Sequence, residues 1–171
     1  MSNSANSKAR AKVWMTSDQV EALRSACYTT GAEYLQQRNE AIIAFVYDTG
    51  LRVGDFVQID KTLLRNGNSE LYLPTDIQKN YSNENSPPPV TPTLSEETAR
   101  LLSAYLNSRW KDPQGLFPSR SSDRISEQDV RNMLHKIASF SAGRLSPSLA
   151  YPSWKLSVFL DSLLYGFTRR S

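Results

Sequence analysis

Asp48-Thr49-Gly50-Leu51-Arg52-Val53-Gly54-Asp55-Phe56 is the stretch on which the reading of this chain turns. It follows the apolar run Ala41–Val46, and a glycine at such a place stops a helix in the left-handed conformation. Arg52 is thereby set on a sharp turn, with Asp55 three residues on and able to hold its guanidinium. Arginine offers five donors in a rigid fork that suits a phosphate. The same spacing also suits an Arg52–Asp55 pair that only closes a helix start.

Working upstream, the pattern predicts a helix from about Tyr34 to Thr49. Its start, Gln36-Gln37-Arg38-Asn39, is polar, and Ala41–Val46 is apolar nearly all round, which places this helix at the centre of the core. Before it, Thr16-Ser17-Asp18-Gln19 reads as a capping box, with Met15 and Val20 as its hydrophobic staple. The helix so opened buries Val20, Leu23 and Cys27 and ends at Thr29-Thr30-Gly31.

Downstream, Leu51–Asp60 reads as a short helix or turn beginning at Arg52. After Arg65-Asn66-Gly67-Asn68, Leu71-Tyr72-Leu73 and Val90-Thr91 flank a Pro/Asn/Ser-rich span. This predicts a small antiparallel sheet with a long mobile loop around Asn80–Pro89, kept out of any helix by Pro87–Pro89. Ser95-Glu96-Glu97 opens a further helix carrying Leu101, Leu102, Tyr105 and Leu106, which finishes near Trp110. Gly115–Pro118 is an apolar connector. Ser126-x-x-Asp129 caps a last helix whose buried stripe is Val130, Met133, Leu134 and Ile137, stopped by Gly143. The expected class is α+β, mostly α-helical, with a small antiparallel β-sheet.

The two ends read differently from this middle. Residues 1–12 are a disordered basic arm with Lys8, Arg10 and Lys12 and no acid. Residues 144–171 hold six Ser and six Leu, and Leu156–Phe167 is apolar on every side yet too short to span a bilayer. The net charge of +3 is uneven: 13 basic and 16 acidic residues lie in 13–143, so the excess of positive charge is at the ends. Phosphate contacts would come from those ends or from a few placed cations, not from bulk charge. One cysteine, Cys27, and one histidine, His135, exclude an intramolecular disulfide and the usual Cys/His zinc sites. No membrane-spanning run and no secretory signal are found, so a cytoplasmic protein without metal or other cofactor is expected.

The Asp48–Phe56 stretch resembles the first arginine motif (T-G-L-R-x-x-E/D) of the tyrosine recombinases, the phage integrase family. The order of elements resembles that family's catalytic domain over roughly Trp14–Phe140. Tyr34–Asn39, Leu71–Pro74, Ser108–Lys111 and Leu116–Ser119 look like integrases of archaea. The resemblance implies that Arg52 is the first catalytic arginine and Asp55 the acid that braces it. It matches Lys79, in Ile77-Gln78-Lys79-Asn80, to the hairpin lysine. Family members use a tyrosine to attack a DNA phosphate and form a 3′-phosphotyrosyl link, without metal or nucleotide. Two arginines stabilise the charge that develops on the phosphate, and the lysine protonates the leaving 5′ oxygen. On its own residues, Lys79 reads equally as a solvated loop charge.

The sequence departs from the family at its second box, His-x-x-Arg, which is absent. His135 is followed by Lys136-Ile137-Ala138, Arg144 has Ser141 three positions before it, and Leu145–Leu149 contains neither His nor Arg. Tyr165 is the tyrosine best placed near the C-terminus to be the nucleophile, with Trp154 upstream. As a residue, Tyr165 reads first as a core aromatic. The domain reading is therefore a partial recombinase-like catalytic domain at 13–143, with a divergent or truncated tail at 144–171 that arose by truncation or a change of reading frame after about Phe140. The family's N-terminal DNA-clamping domain is missing or lies outside the chain.

Three functions follow as expectations. The first is site-specific DNA recombination and integration with an impaired site. The second is a non-catalytic remnant that binds DNA or other recombinase subunits. The third is a plain helical interaction protein.

Overall fold

The computed structural model describes residues 15–78 and 87–142. The arm 1–12, Lys79, most of the Asn80–Pro89 loop, Gly143 and the 144–171 tail with Trp154 and Tyr165 lie outside them. Among the described residues there are five α-helices, α1 (Ser17–Ala26), α2 (Glu33–Thr49), α3 (Val53–Phe56), α4 (Glu96–Ser108) and α5 (Glu127–Ala142), and one two-stranded antiparallel sheet that lies between α3 and α4 in the chain. None of these helices is long and apolar enough to cross a membrane.

The capping box forms at α1: the Gln19 amide donates to Thr16 Oγ1 at 3.3 Å, and Gln19 Oε1 accepts from the Thr16 amide at 2.9 Å. The helix stops at Ala26, earlier than the Thr29–Gly31 signal, because Tyr28 and Thr29 turn the chain back on Ser25 and Ala26. Central α2 packs between α1 and α4, while α5 packs on α1 and α3. Ala41, Ile42 and Phe45 are fully buried, as the apolar run requires.

The polar start of α2 is where structure and periodicity part. Arg38, Asn39 and Glu40 are buried rather than solvated. Arg38 donates to the Pro118 carbonyl at 3.0 Å and to Asn39 Oδ1, and lies over the Trp110 ring. Glu40 accepts from Arg24 on α1 at 2.9 Å, and the Tyr28 hydroxyl also donates to it. Arg24 reaches Glu97 on α4 at 2.8 Å, so one guanidinium ties three helices. Buried polar groups persist where such partners exist.

The sheet is built from β1 (Leu64–Arg65) and β2 (Glu70–Leu71), in the register Leu64↔Leu71 and Arg65↔Glu70. Asn66, Gly67 and Asn68, all left-handed, make its turn. β1 was not legible as a strand. The predicted partners still meet: Leu73 and Val90 form an antiparallel bridge, each amide bonded to the other's carbonyl. Gln78 Nε2 donates to both the Leu73 and Pro88 carbonyls and so ties together the described chain on either side of 79–86.

Residues 109–125 form a strap across the chain that follows α3. Leu116 N donates to Ile59 O and Lys61 N to Gln114 O. Arg109, its side chain almost wholly buried, gathers the Pro113, Gly115 and Leu116 carbonyls and pairs with Asp112. Lys61 and Arg109 hold the Asp112 carboxyl below the usual carboxylate range.

At Gly115 a Cβ would stand 2.4 Å from the Asp123 carbonyl oxygen and 2.9 Å from Arg124 Cγ. That backbone cannot retreat freely, because Ile125 N is bonded to Phe117 O at 2.8 Å. Gly115→Ala is expected to cost about 1–3 kcal/mol by overpacking. Gly54→Ala would press only on the flexible end of Glu127, at 3.2 Å, and should cost less. Urea midpoints of the two variants check this order; an unchanged midpoint for Gly115→Ala would contradict it.

Candidate functional site

The Arg52 turn is assembled from the last turn of α2 onward. Thr49 Oγ1 donates to Phe45 O at 2.7 Å and lies 3.5 Å from the Leu51 amide. Gly50 then adopts φ 62° and ψ 22° and donates to Val46 O, the left-handed stop that the sequence predicts. A side chain at that φ would strain the backbone. Arg52 is the N-cap of α3, extended at φ −66° and ψ 148°. Its carbonyl accepts from the Asp55 and Phe56 amides at 3.1 and 2.8 Å.

Behind the turn lies an aromatic stack. Phe56 is buried with its ring 5.2 Å from Phe117, and Phe117 stacks in turn on Tyr105 at 5.4 Å. Phe45 meets both Phe56 and Phe117 from α2. Val53, also buried, completes the inner face of α3. Beyond α3, Arg124 donates to the Gln58 carbonyl at 3.0 Å and pairs with Asp60. On the α5 side, Glu127 approaches Gly54 and is held by Arg131 at 3.0 Å. Before the turn, Asp48 Oδ2 accepts from the Ser95 amide at 2.5 Å.

Arg52 is half-buried, and no hydrogen bond or ion pair to another described residue holds its guanidinium. Arg24, Arg38, Arg109, Arg124 and Arg131 all have such partners. An Arg52–Asp55 ion pair is not among those of the described residues, and Asp55 makes an interaction of its own. The backbone under Arg52 is thus fixed at both ends, while no other described residue takes its side-chain donors. A planar fork on a rigid turn is a fitting contact for a phosphate.

Of the sequence-predicted site residues, Arg52 and Asp55 share the α3 turn. Lys79 and Tyr165 lie outside the described residues. His135 is exposed on α5, one residue beyond the buried Leu134. Asp48, Arg124 and Glu127, which surround the turn, were not singled out from the sequence. The one signal available was Asp48: an acid in the last turn of a helix opposes the helix dipole and so calls for a partner.

Residues 13–146 match the phage integrase family. The crystal structure of XerA recombinase is similar to this chain, with a TM-score of 0.61 and 18% sequence identity. The likeness covers 81% of this chain and 45% of that one, so the chain spans less than half of that recombinase. At that identity it is a likeness of fold. No curated protein matches the chain.

Proposed function

Given that the chain belongs to the phage integrase family, we propose that it serves site-specific DNA recombination and integration, with Arg52 gripping the phosphate that is attacked. The observation that carries this reading is the Arg52 turn: a rigid backbone presents a guanidinium that no other described residue claims. In the reading, Asp55 braces that arginine once DNA is bound, Lys79 protonates the leaving 5′ oxygen, and Tyr165 is the candidate nucleophile. No metal or other cofactor takes part. DNA is the partner, with other recombinase subunits, and the setting is the cytoplasm of an archaeal-type host. Residues 13–143 form the catalytic part, between a basic arm and the divergent tail.

The 171 residues contain no His-x-x-Arg, and this favours a second reading. Removing one donor that stabilises developing charge typically lowers the rate by about 10²–10³. Strand cleavage should therefore be slow, and in the limit the chain acts as a DNA-binding or recombinase-regulating remnant.

Incubation with nicked suicide substrates drawn from the sequences that flank its gene separates the two. A slow, denaturant-resistant adduct, lost in Arg52→Ala and in Tyr165→Phe, is the expected result for the enzyme. DNA binding without an adduct marks the remnant. No binding at all would overturn both.

A further inference from the structure

We propose that Asp48 is a positioning residue, whose bond to the α4 N-terminus fixes the angle at which the Arg52 turn leaves α2. The inference rests on the reading that Arg52 contacts a DNA phosphate. Asp48 is exposed in the last turn of α2, four residues before Arg52. An acid there faces the negative end of its own helix, which disfavours it. No basic residue in that turn offsets it.

Its carboxylate is satisfied elsewhere. Oδ2 accepts from the amide of Ser95, the N-cap of α4, 47 residues away in sequence. The positive end of α4 thus receives what the negative end of α2 disfavours. The first turn of α4 is itself anchored, by the Ser95 hydroxyl on the Thr98 amide and by Arg24 on Glu97.

Between Asp48 and Arg52 there is little slack. Thr49 is tied back to Phe45, Gly50 is locked left-handed on Val46, and Arg52 begins α3 at once. Release of Asp48 from Ser95 therefore moves the root of the Arg52 side chain. The buried stack of Phe45, Phe56 and Phe117 holds the inner face of the turn, so the shift is confined to the outer edge that bears Arg52 and the fold stays in place.

The test exploits a conflict of sign. Loss of Asp48 raises the net charge by one, so long-range electrostatics predict tighter DNA binding. Positioning predicts the reverse. On a labelled nicked duplex at fixed low salt, Asp48→Ala is expected to weaken binding about fivefold, the size of coupling found within one network. Asp48→Asn makes the same charge change but keeps an oxygen for the Ser95 amide. It should bind at least as well as the parent, and thermal melts of both variants confirm folding. In an Arg52→Ala background, Asp48→Ala should no longer weaken binding.

Tighter binding by Asp48→Ala, or identical behaviour of the two Asp48 variants, overturns the proposal and leaves the Arg52 reading standing. If Arg52→Ala alone changes nothing, the underlying reading fails, and this proposal with it.

Discussion

Arg24→Ala is expected to destabilise the protein by about 3–5 kcal/mol, the cost of leaving one partner of a buried ion pair without the other. The side chains of Arg24 and Glu40 are only 9% and 10% exposed. Glu21 and Glu97 are mostly in solvent, so their shares are small. Burial opposes the Arg24 charge, yet the bonds to Glu97 and Glu40 outweigh it and raise its pKa. The bond from Tyr28 to Glu40, and then burial, push the Tyr28 hydroxyl up to about 12. With Arg24 gone, Glu40 keeps only that hydroxyl as a described partner.

Urea unfolding measures the loss, and two further results follow. Replacing Arg24 and Glu40 together by leucine should cost less than Arg24→Ala alone, since no charge is then stranded. The hydrogen bond from Arg24 also lowers the Glu97 pKa from its ordinary value of 4.5. A depressed carboxylate contributes stability above its unfolded pKa and loses it as pH falls through the folded one. The parent should lose that increment below pH 4.5, and Arg24→Ala should lack it.

Phe56→Ala has an effect of similar size, about 3–5 kcal/mol for a fully buried phenylalanine. Against a total of roughly 5–15 kcal/mol for a domain, that leaves a marginal fold. Phe56 belongs to the same turn as Arg52, and its ring is what seats α3 against Phe117 and Phe45. Phe56→Leu refills most of the volume and should cost under about 1.5 kcal/mol. Calorimetry ranks the two. DNA affinity, measured at a temperature where both are folded, should fall more for alanine, because the Arg52 backbone loses its seat. Equal melting of the two variants would contradict the packing described.

Much of this fold could be read from local pattern, because local chemistry decides it. The Thr16 capping box, the Gly50 stop and the Val130–Met133–Leu134–Ile137 stripe each depend on neighbours within one or two turns. The sheet was half legible. Leu73 and Val90 pair as their flanks suggest, but Leu64-Arg65 is too short to show an alternation, and its pairing is imposed by the Asn66–Asn68 turn.

What periodicity could not reveal were side chains satisfied at long range. Arg38, Asn39 and Glu40 look like a solvated face until Pro118 and Arg24 are brought to them. The site divides in the same way. Arg52 stands in a recognisable motif, whereas Asp48 and Arg124 gain meaning only from Ser95, Gln58 and Asp60, residues 47 or more positions away.

The central claim, that Arg52 holds a DNA phosphate, is tested most directly by the salt dependence of DNA binding. Each neutralised phosphate contributes about 0.9 to the slope of log K against log salt on duplex DNA. Arg52→Ala should therefore flatten the slope by about that amount and weaken binding on every sequence alike. A slope unchanged from the parent protein would show that Arg52 meets no phosphate and that its turn serves the fold alone.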